Sequence, residues 1–111
     1  MAFDAVPIVR RALRRSRLRS SIMLALLQVP HATQADLVRM TKAESRWVRG
    51  ALHGAEKTYR PEDSLLAMLV VRCSLERGIV VYVLSAYGRR LALSLRRDVE
   101  RSMGVRPVAQ L

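Results

Sequence analysis

Two arginines and a histidine recur at helical spacing within residues 45–53, SRWVRGALH. If this stretch forms a helix, Val48 and Leu52 lie on one face, because residues four apart stand one above the other. The opposite face then carries the polar and basic side chains Ser45, Arg46, Arg49 and His53. A guanidinium group can donate two hydrogen bonds to O6 and N7 of guanine, and a helix fits the major groove. The pattern therefore predicts a helix that packs with one face and contacts DNA bases with the other.

Two further side chains beside this helix can belong to the same interface. Trp47 lies at the edge of the apolar stripe. There it either braces the domain or stacks on a sugar or a thymine methyl group, and both interpretations stay open. Lys42 precedes the helix in a short turn. A lysine at that position suits contact with a phosphate better than contact with a base.

The elements that must position these residues begin with a short preceding helix. Thr33 suits the N-cap, and Asp36 follows three residues later, where an acid favours the helix start. Leu37, Val38 and Met40 predict a helix of about two turns. After a connection of three or four residues, the second helix runs from Ser45 to about Ala55, with an apolar stripe at Val48, Ala51, Leu52 and Ala55.

The N-terminal part of the chain predicts one longer helix preceded by a basic arm. The longer helix has an apolar stripe and ends before Pro30, which cannot continue it; the stripe comprises Leu18, Ile22, Ala25, Leu26 and Val29. The arm has a shorter stripe at Ile8, Val9, Ala12 and Leu13, surrounded by arginines. The step of five residues from Leu13 to Leu18 rotates the stripe around the helix axis. We therefore expect a separate or kinked arm.

The C-terminal half changes from helical to strand periodicity and back. Pro61 suits the first position of a helix over residues 60–68. Residues 70–76, VVRCSLE, then alternate, which predicts a strand whose core-facing residues are Val71, Cys73 and Leu75. A tight connection at Arg77-Gly78 leads into a second strand over residues 79–85, so the two strands form a hairpin. Ser85 caps a final helix, which carries Leu91, Leu95, Val99 and Met103 and ends near Gly104 and Pro107.

The charge of the chain is its most informative bulk property. Twenty Lys and Arg residues against nine Asp and Glu residues give a net charge of +11 over 111 residues. Such an excess indicates a polyanionic partner, although a solvated basic surface without one is the alternative. The arginines of residues 10–19 carry too little adjacent apolar area to anchor a helix on a membrane, so we assign them to phosphate contacts or inter-subunit pairing. The apolar runs fall short of the roughly 20 residues that span a bilayer.

No arrangement of residues in the sequence predicts catalysis or metal binding. His31, His53 and Cys73 stand apart, without the Cys-x-x-Cys or His-x-x-x-His spacing of metal ligands. Glu62 and Asp63 are adjacent, and adjacent side chains on a helix diverge, so they suit capping better than paired-carboxylate chemistry. A single cysteine excludes an internal disulfide and fits a reducing cytoplasm. We expect the protein to have no enzymatic activity and to bind no metal or cofactor.

The order of elements and two motifs resemble the winged helix-turn-helix DNA-binding domain, in particular small archaeal and bacterial regulators of the multiple-antibiotic-resistance, arsenic-responsive and phenolic-acid types. The first motif is TQADLVRMTKAESRWVRGAL, residues 33–52. The second is IVVYVLSAYGRRLALSL, residues 79–95, where the family pattern falls on Tyr82, Leu84, Ser85, Gly88 and Arg89. Two departures stand out. Leu69 occupies a position where the family usually has Gly, and leucine resists a left-handed backbone. Residues 54–63 are also longer than the usual link.

The resemblance implies an α+β, mostly helical fold, with a two-stranded wing hairpin and terminal helices. We divide the chain into a basic N-terminal helical arm (1–16), a winged-helix domain (17–97), and the end of the last helix with a tail (98–111) that can serve dimerisation. The expected function is sequence-specific regulation of transcription through the helix around residues 44–55, in the cytoplasm at the nucleoid. The alternatives are a winged-helix module that binds protein or RNA in the transcription or translation machinery, and a protein that coats nucleic acid without sequence preference.

The expected partners are double-stranded DNA and a second copy of the chain, while the sequence does not reveal whether an effector exists. The candidate DNA-binding residues are Lys42, Ser45, Arg46, Trp47, Arg49, His53, Arg72 and Arg77. At the hairpin turn Arg77 either reaches DNA or is simply solvated. The candidate dimerisation residues are Val9, Leu13, Leu91, Leu95, Val99 and Met103. Arm and tail could instead pack on each other within one chain.

Overall fold

Four helices and one β-hairpin make up the part of the chain that the structure describes, which is residues 16–54, 64–102 and 104 of a computed structural model. In chain order they are α1 (Arg17–Gln28), α2 (Gln34–Thr41), α3 (Ser45–His53), β1 (Val71–Glu76), β2 (Ile79–Leu84) and α4 (Ala86–Ser102). This is the winged-helix arrangement, so the predicted α+β, mostly helical fold class is confirmed.

Helix α1 is the central support of the domain. Its N-cap is Ser16, whose hydroxyl oxygen accepts a hydrogen bond of 3.2 Å from the Arg19 amide. Its apolar stripe is buried against α4, α2 and α3, with Ile22 and Met23 fully covered. After Gln28 the backbone becomes extended at Val29, which precedes Pro30, as the sequence predicts.

Helix α2 begins with a capping box and ends in a left-handed residue. The Asp36 amide donates to Oγ1 of Thr33 at 3.1 Å, and the Thr33 amide donates to the Asp36 carboxylate at 3.0 Å. The hydrogen bonds from Thr33 hold the pKa of Asp36 below its ordinary value. At the other end Lys42 adopts φ 58° and ψ 25°, and its amide donates to the Val38 carbonyl at 2.9 Å. This bend turns the chain into α3 within three residues.

The link between α3 and the hairpin differs from the predicted helix over residues 60–68. Pro61 lies outside the described residues, and residues 64–70 form a turn. The amides of Leu65 and Leu66 donate to the carbonyls of Ala51 and Leu52, at 2.9 and 3.1 Å. They are therefore bonded to the last turn of α3, whose carbonyls have no partner within their own helix.

Leu69 adopts the backbone conformation that its side chain was expected to resist. Its φ is 60°, in the left-handed region, and 72% of its surface is exposed. Its carbonyl accepts a hydrogen bond of 2.6 Å from the Ser85 hydroxyl. The tertiary contact thus holds a leucine in a conformation that costs on the order of 1–2 kcal/mol relative to the right-handed one.

The hairpin has the predicted two-residue turn. Both turn residues have positive φ, 50° at Arg77 and 78° at Gly78, and Glu76 pairs with Ile79 next to them. This turn matches the right-handed twist of the strands. On its other side β2 pairs with the α1–α2 link, because the Tyr82 amide and carbonyl bond to Ala32 at 2.7 and 3.0 Å.

The burial expected from alternation in β1 is wrong beyond its first residue. Val71 is buried, but Cys73 is exposed and Leu75 is 70% exposed. On β2 only Val81 and Tyr82 are buried. Alternation assigns side chains to two faces but does not say how far the core extends beneath them. The hairpin projects beyond the core, so both faces of its tip meet solvent.

The junction between the hairpin and α4 explains Ser85 and Gly88 of the second motif. The Ser85 hydroxyl oxygen accepts a hydrogen bond of 2.9 Å from the Gly88 amide, as a helix cap does. Gly88 lies so close to the backbone just before β1 that an added Cβ would be 1.8 Å from the Val70 carbonyl oxygen. Only glycine fits this approach, because the obstructing atom belongs to the backbone.

We predict that Gly88→Ala lowers the free energy of unfolding by about 3 kcal/mol or more, since the overlap requires α4 or Val70 to move. Ala86→Gly is the matched control, because it changes an exposed residue in the same helical turn and should cost no more than about 1 kcal/mol. Urea unfolding monitored by circular dichroism measures both. A Gly88→Ala loss no greater than that of the control would contradict the close approach.

Candidate nucleic-acid interface

Helix α3 has the two faces that the sequence predicts. Val48, Ala51 and Leu52 are completely buried against the domain. The side chains of the opposite face are exposed: Ser45, Arg46, Arg49 and His53. Because the buried stripe fixes the rotation of the helix about its own axis, the arginines are held toward solvent whether or not a partner is bound.

A side-chain hydrogen bond fixes the start of α3 against the start of α2. Nε2 of Gln34 donates to Oγ of Ser45 at 2.7 Å and lies 3.3 Å from the Ser45 carbonyl oxygen. Ser45, a candidate DNA contact, is therefore also part of the joint between the two helices. This role of Gln34 was not predicted from the sequence, since its partner lies 11 residues away and no periodicity connects the two residues.

Arg46 and Trp47 form one unit on the surface. The Arg46 guanidinium lies 4.8 Å from the centroid of the Trp47 ring, and its Nε donates to the Glu44 carboxylate at 2.9 Å. Trp47 is 37% exposed, and one face of its ring lies under the guanidinium. The ring thus helps to orient Arg46, a role that neither interpretation from sequence included.

Arg49 is a second exposed cation of α3. It is exposed, and it makes no ion pair or hydrogen bond with any residue that the structure describes. Lys42, in the turn before α3, is likewise exposed and unpaired within the described ranges. Neither side chain needs to break an ion pair with a described residue before it meets a phosphate or a base edge.

His53, at the end of α3, is joined to the hairpin. Its Nε2 shares a hydrogen bond of 2.5 Å with the hydroxyl of Tyr82, and the two rings meet edge to face at 5.6 Å. Burial, followed by the positive charge of Arg49, lowers the pKa of His53. Burial also raises the pKa of Tyr82. A neutral imidazole beside a protonated phenol is the state that this contact favours.

The hairpin places its two candidate arginines differently. Arg77 is exposed at the turn, at the far end of the hairpin. Arg72 is exposed near the base and pairs with Val83. Successive strand residues point to opposite faces, so Arg72 lies on the opposite face from Cys73 and Tyr82, and hence from His53. Arg77 can reach beyond the domain, whereas Arg72 points away from α3.

The candidate dimerisation residues divide into three groups. Leu91 and Leu95 are each only 5% exposed because they pack in the core of a single chain. Val99 is 42% exposed and lines an open groove between α1 and α4 with a volume of about 730 Å³. Val9, Leu13 and Met103 lie outside the described residues. The groove itself was not foreseen, and its other lining residues are Arg17, Ser20, Ser21, Leu24, Leu95, Asp98 and Arg101.

The described residues contain neither a cluster of metal ligands nor a helix that could span a membrane. Across residues 16–54 and 64–102, no three His, Cys, Asp or Glu side chains gather where they could hold a metal ion. None of the helices in the same part of the chain is long and apolar enough to cross a bilayer.

The lowered pKa of His53 gives a pH dependence with a defined sign. The unfolded state binds a proton near the ordinary value of 6.5, whereas the folded state binds it only at lower pH. The stability contributed by the neutral imidazole is therefore complete above pH 6.5 and is lost as the pH falls below it. We predict that urea unfolding shows a larger decrease between pH 7.5 and 5.0 for the parent than for His53→Gln.

His31→Gln, which changes an exposed histidine, is the control for this comparison. Equal decreases for the parent and His53→Gln would contradict the contact between His53 and Tyr82 in solution.

Two solved structures share this fold at low sequence identity. BpsR of Bordetella bronchiseptica, whose DNA binding is regulated by 6-hydroxynicotinic acid, matches with a TM-score of 0.62 and 18% identity, over 93% of this chain and 87% of that one. The adhesin competence repressor AdcR of Streptococcus pyogenes matches with a TM-score of 0.64 and 11% identity, over 90% of this chain and 69% of that one. They agree with the winged-helix assignment.

One relative is more similar to this chain in sequence than the two solved structures are. An uncharacterized protein of Methanocaldococcus jannaschii is 28% identical over 92 residues, which cover 81% of this chain and 83% of that protein. The EarA-like family matches residues 9–95, and thus most of the domain together with part of the arm. The chain belongs to the EarA-like family.

Proposed function

We propose that this protein is a sequence-specific DNA-binding regulator of transcription, without enzymatic activity, whose helix α3 enters the major groove. The observation that carries the proposal is the division of α3 into a fully buried face and an exposed face with Arg46 and Arg49. A helix held in this way can lie in the groove while its guanidinium groups donate to guanine. Such a protein would act in the cytoplasm at the nucleoid.

The net charge supports a nucleic acid as the partner. The chain carries +11, and the cations around α3 and the hairpin turn, Lys42, Arg49 and Arg77, have no ion-pair partner among the described residues. Phosphate contacts supply affinity, and base contacts supply sequence preference. The arginines of α3 can contact bases, while Lys42 and Arg77 can contact phosphates. The DNA binding of BpsR and the repressor role of AdcR give further support.

We predict that Arg49→Ala weakens binding to the preferred DNA site by roughly 1–3 kcal/mol and relaxes the preference at one base position, because a bidentate contact is lost. Arg97→Ala is the control, since it removes the same charge from an exposed position on α4. Fluorescence anisotropy on preferred and random duplexes separates the two effects. An equal loss on both duplexes would show that Arg49 contacts the backbone alone.

The wing should add a contact beside the major groove. We predict that Arg77→Ala shortens the footprint on the wing side and makes the slope of log affinity against log salt less negative by about 0.9, which corresponds to one phosphate. Glu76→Ala, at the neighbouring residue, controls for local damage to the hairpin and should not shorten the footprint. An unchanged footprint and slope for Arg77→Ala would mean that Arg77 is simply solvated.

A second candidate function is supported by the apolar tip of the hairpin. Leu75, Ile79 and Val80 are 70%, 56% and 43% exposed, and such side chains are common where proteins contact one another. A winged-helix module that binds protein in the transcription machinery would use this tip instead of α3. Salt-dependent binding of duplex DNA by the parent, lost in α3 variants, separates the first function from the second.

We also propose a homodimer that uses the groove between α1 and α4. Leu91 and Leu95 are already covered within one chain, so the proposal depends on Val99 and on the apolar floor of the groove at Leu24. A two-fold arrangement would present two α3 helices to a palindromic site. Arm and tail packing within one chain would instead fill the groove internally.

We predict that Val99→Glu converts the protein to a monomer in light scattering at micromolar concentration, because a charge is placed in the interface. Ala86→Glu, an equal change of charge at an exposed position of the same helix, should leave the mass unchanged. Leu95→Glu is unsuitable since it would damage the core. A monomeric parent, unaffected by Val99→Glu, would remove the dimer.

A further inference from the structure

Tyr82 connects three parts of the domain that are far apart in sequence. Its amide and carbonyl both bond to Ala32, in the link between α1 and α2. Its side chain is 3% exposed, and its hydroxyl bonds to Nε2 of His53 at the end of α3, 29 residues away. Among the described residues, this is the one hydrogen bond from α3 to the hairpin.

This bond lies where the hairpin leaves the core, so it can affect the direction in which the hairpin projects. The base of the hairpin is held by the turn at residues 64–70, where the amides of Val70 and Val71 lie 3.3 Å from the Leu65 carbonyl oxygen. Tyr82 is two residues further out, opposite Cys73. From residue 72 to residue 80 every residue is exposed. The direction in which the tip projects therefore depends on the buried residues Val81 and Tyr82, and Tyr82 is the one that is hydrogen-bonded to α3.

His53 is poorly placed to contact a base through the nitrogen that faces the protein. Nε2 is engaged by Tyr82, and the imidazole stands nearly perpendicular to the phenol ring, at 73°. The hydrogen bond and the edge-to-face contact with this buried phenol restrain the orientation of the imidazole. These contacts favour a structural connection over direct contact with DNA, which the sequence had suggested for this residue.

We propose that His53 is a positioning residue, which holds the hairpin at a fixed angle to α3 through its hydrogen bond to Tyr82. With that angle fixed, α3 and the hairpin tip reach neighbouring grooves of one DNA site at the same time. The loss of the bond loosens the angle between the hairpin and α3, while the backbone bonds to Ala32 still hold β2 and α3 keeps its own buried stripe. The inference rests on the DNA-binding function proposed above.

The test is a double-mutant cycle with His53→Ala, Tyr82→Phe and the double variant, measured on the DNA site preferred by the parent. Tyr82→Phe removes only the hydroxyl, so it leaves the exposed surface of α3 intact. We expect each single variant to lose affinity by about three- to tenfold and the double variant to lose no more than either. Circular dichroism at the assay temperature confirms that all variants are folded.

Three readouts distinguish positioning from a loss of stability. The footprint should shorten on the wing side, and the salt slope should become less negative by about 0.9 as the phosphate contact of the tip is lost. The preferred base sequence should stay the same. His53→Gln should restore the footprint, because its side-chain amide can bond to the Tyr82 hydroxyl.

Each other outcome overturns the inference. Parent-like binding by Tyr82→Phe, together with an altered base preference in His53→Ala, would show that His53 contacts DNA itself. If the fold-loss of affinity in the double variant equals the product of the two single fold-losses, the two residues act independently. If the parent has no preferred DNA site, the proposed function fails and the positioning role fails with it. If the parent binds a preferred site and all variants bind it with the same affinity and footprint, the positioning role alone is overturned.

Discussion

The contacts of Tyr82 are the constraint on which the arrangement of this domain depends. Its backbone forms an isolated antiparallel β-bridge with Ala32, and its hydroxyl is hydrogen-bonded to His53. The link before α2, the end of α3 and the middle of β2 are thereby held at one point. Each of these elements is short, and α2 and α3 have eight and nine residues. Helices of this length are unstable alone, so their orientation depends on tertiary contacts of this kind.

The surface beside this point combines a cation that is restrained by its neighbours with cations that have no partner among the described residues. Arg46 is restrained by Glu44 and by the Trp47 ring, whereas Arg49 and Lys42 have no partner in the described part of the chain. A restrained guanidinium loses little side-chain entropy on binding, and an unrestrained one can adapt to the partner. An ion pair at the surface contributes at most about 1 kcal/mol, so Glu44 does not prevent Arg46 from contacting DNA.

Local signals predicted much of the fold, because each depends on residues close in sequence. The N-cap at Thr33, the turn at Arg77-Gly78 and the cap at Ser85 are all present. Predictions that required knowledge of the core were wrong. Cys73 and Leu75 have the alternation of a half-buried strand, yet both are exposed. The amides of residues 65 and 66 bond to α3 instead of forming a helix of their own.

The candidate interface was predictable in its helix but not in its connections. The spacing of Val48 and Leu52 was enough to assign Arg46 and Arg49 to the exposed face. The bond from Gln34 to Ser45 and the bond from His53 to Tyr82 join residues 11 and 29 positions apart, and no periodicity reports such pairs. Leu69 shows the same limit, since its left-handed backbone is held by Ser85, which is 16 residues further along the chain.

Selection from random duplex DNA with the purified protein tests the central claim most directly. If α3 contacts bases in the major groove, successive rounds should enrich one sequence motif, with a half-site about as long as one helix can cover. Binding at low salt without any enriched motif would contradict the claim, because the protein would then contact only phosphates.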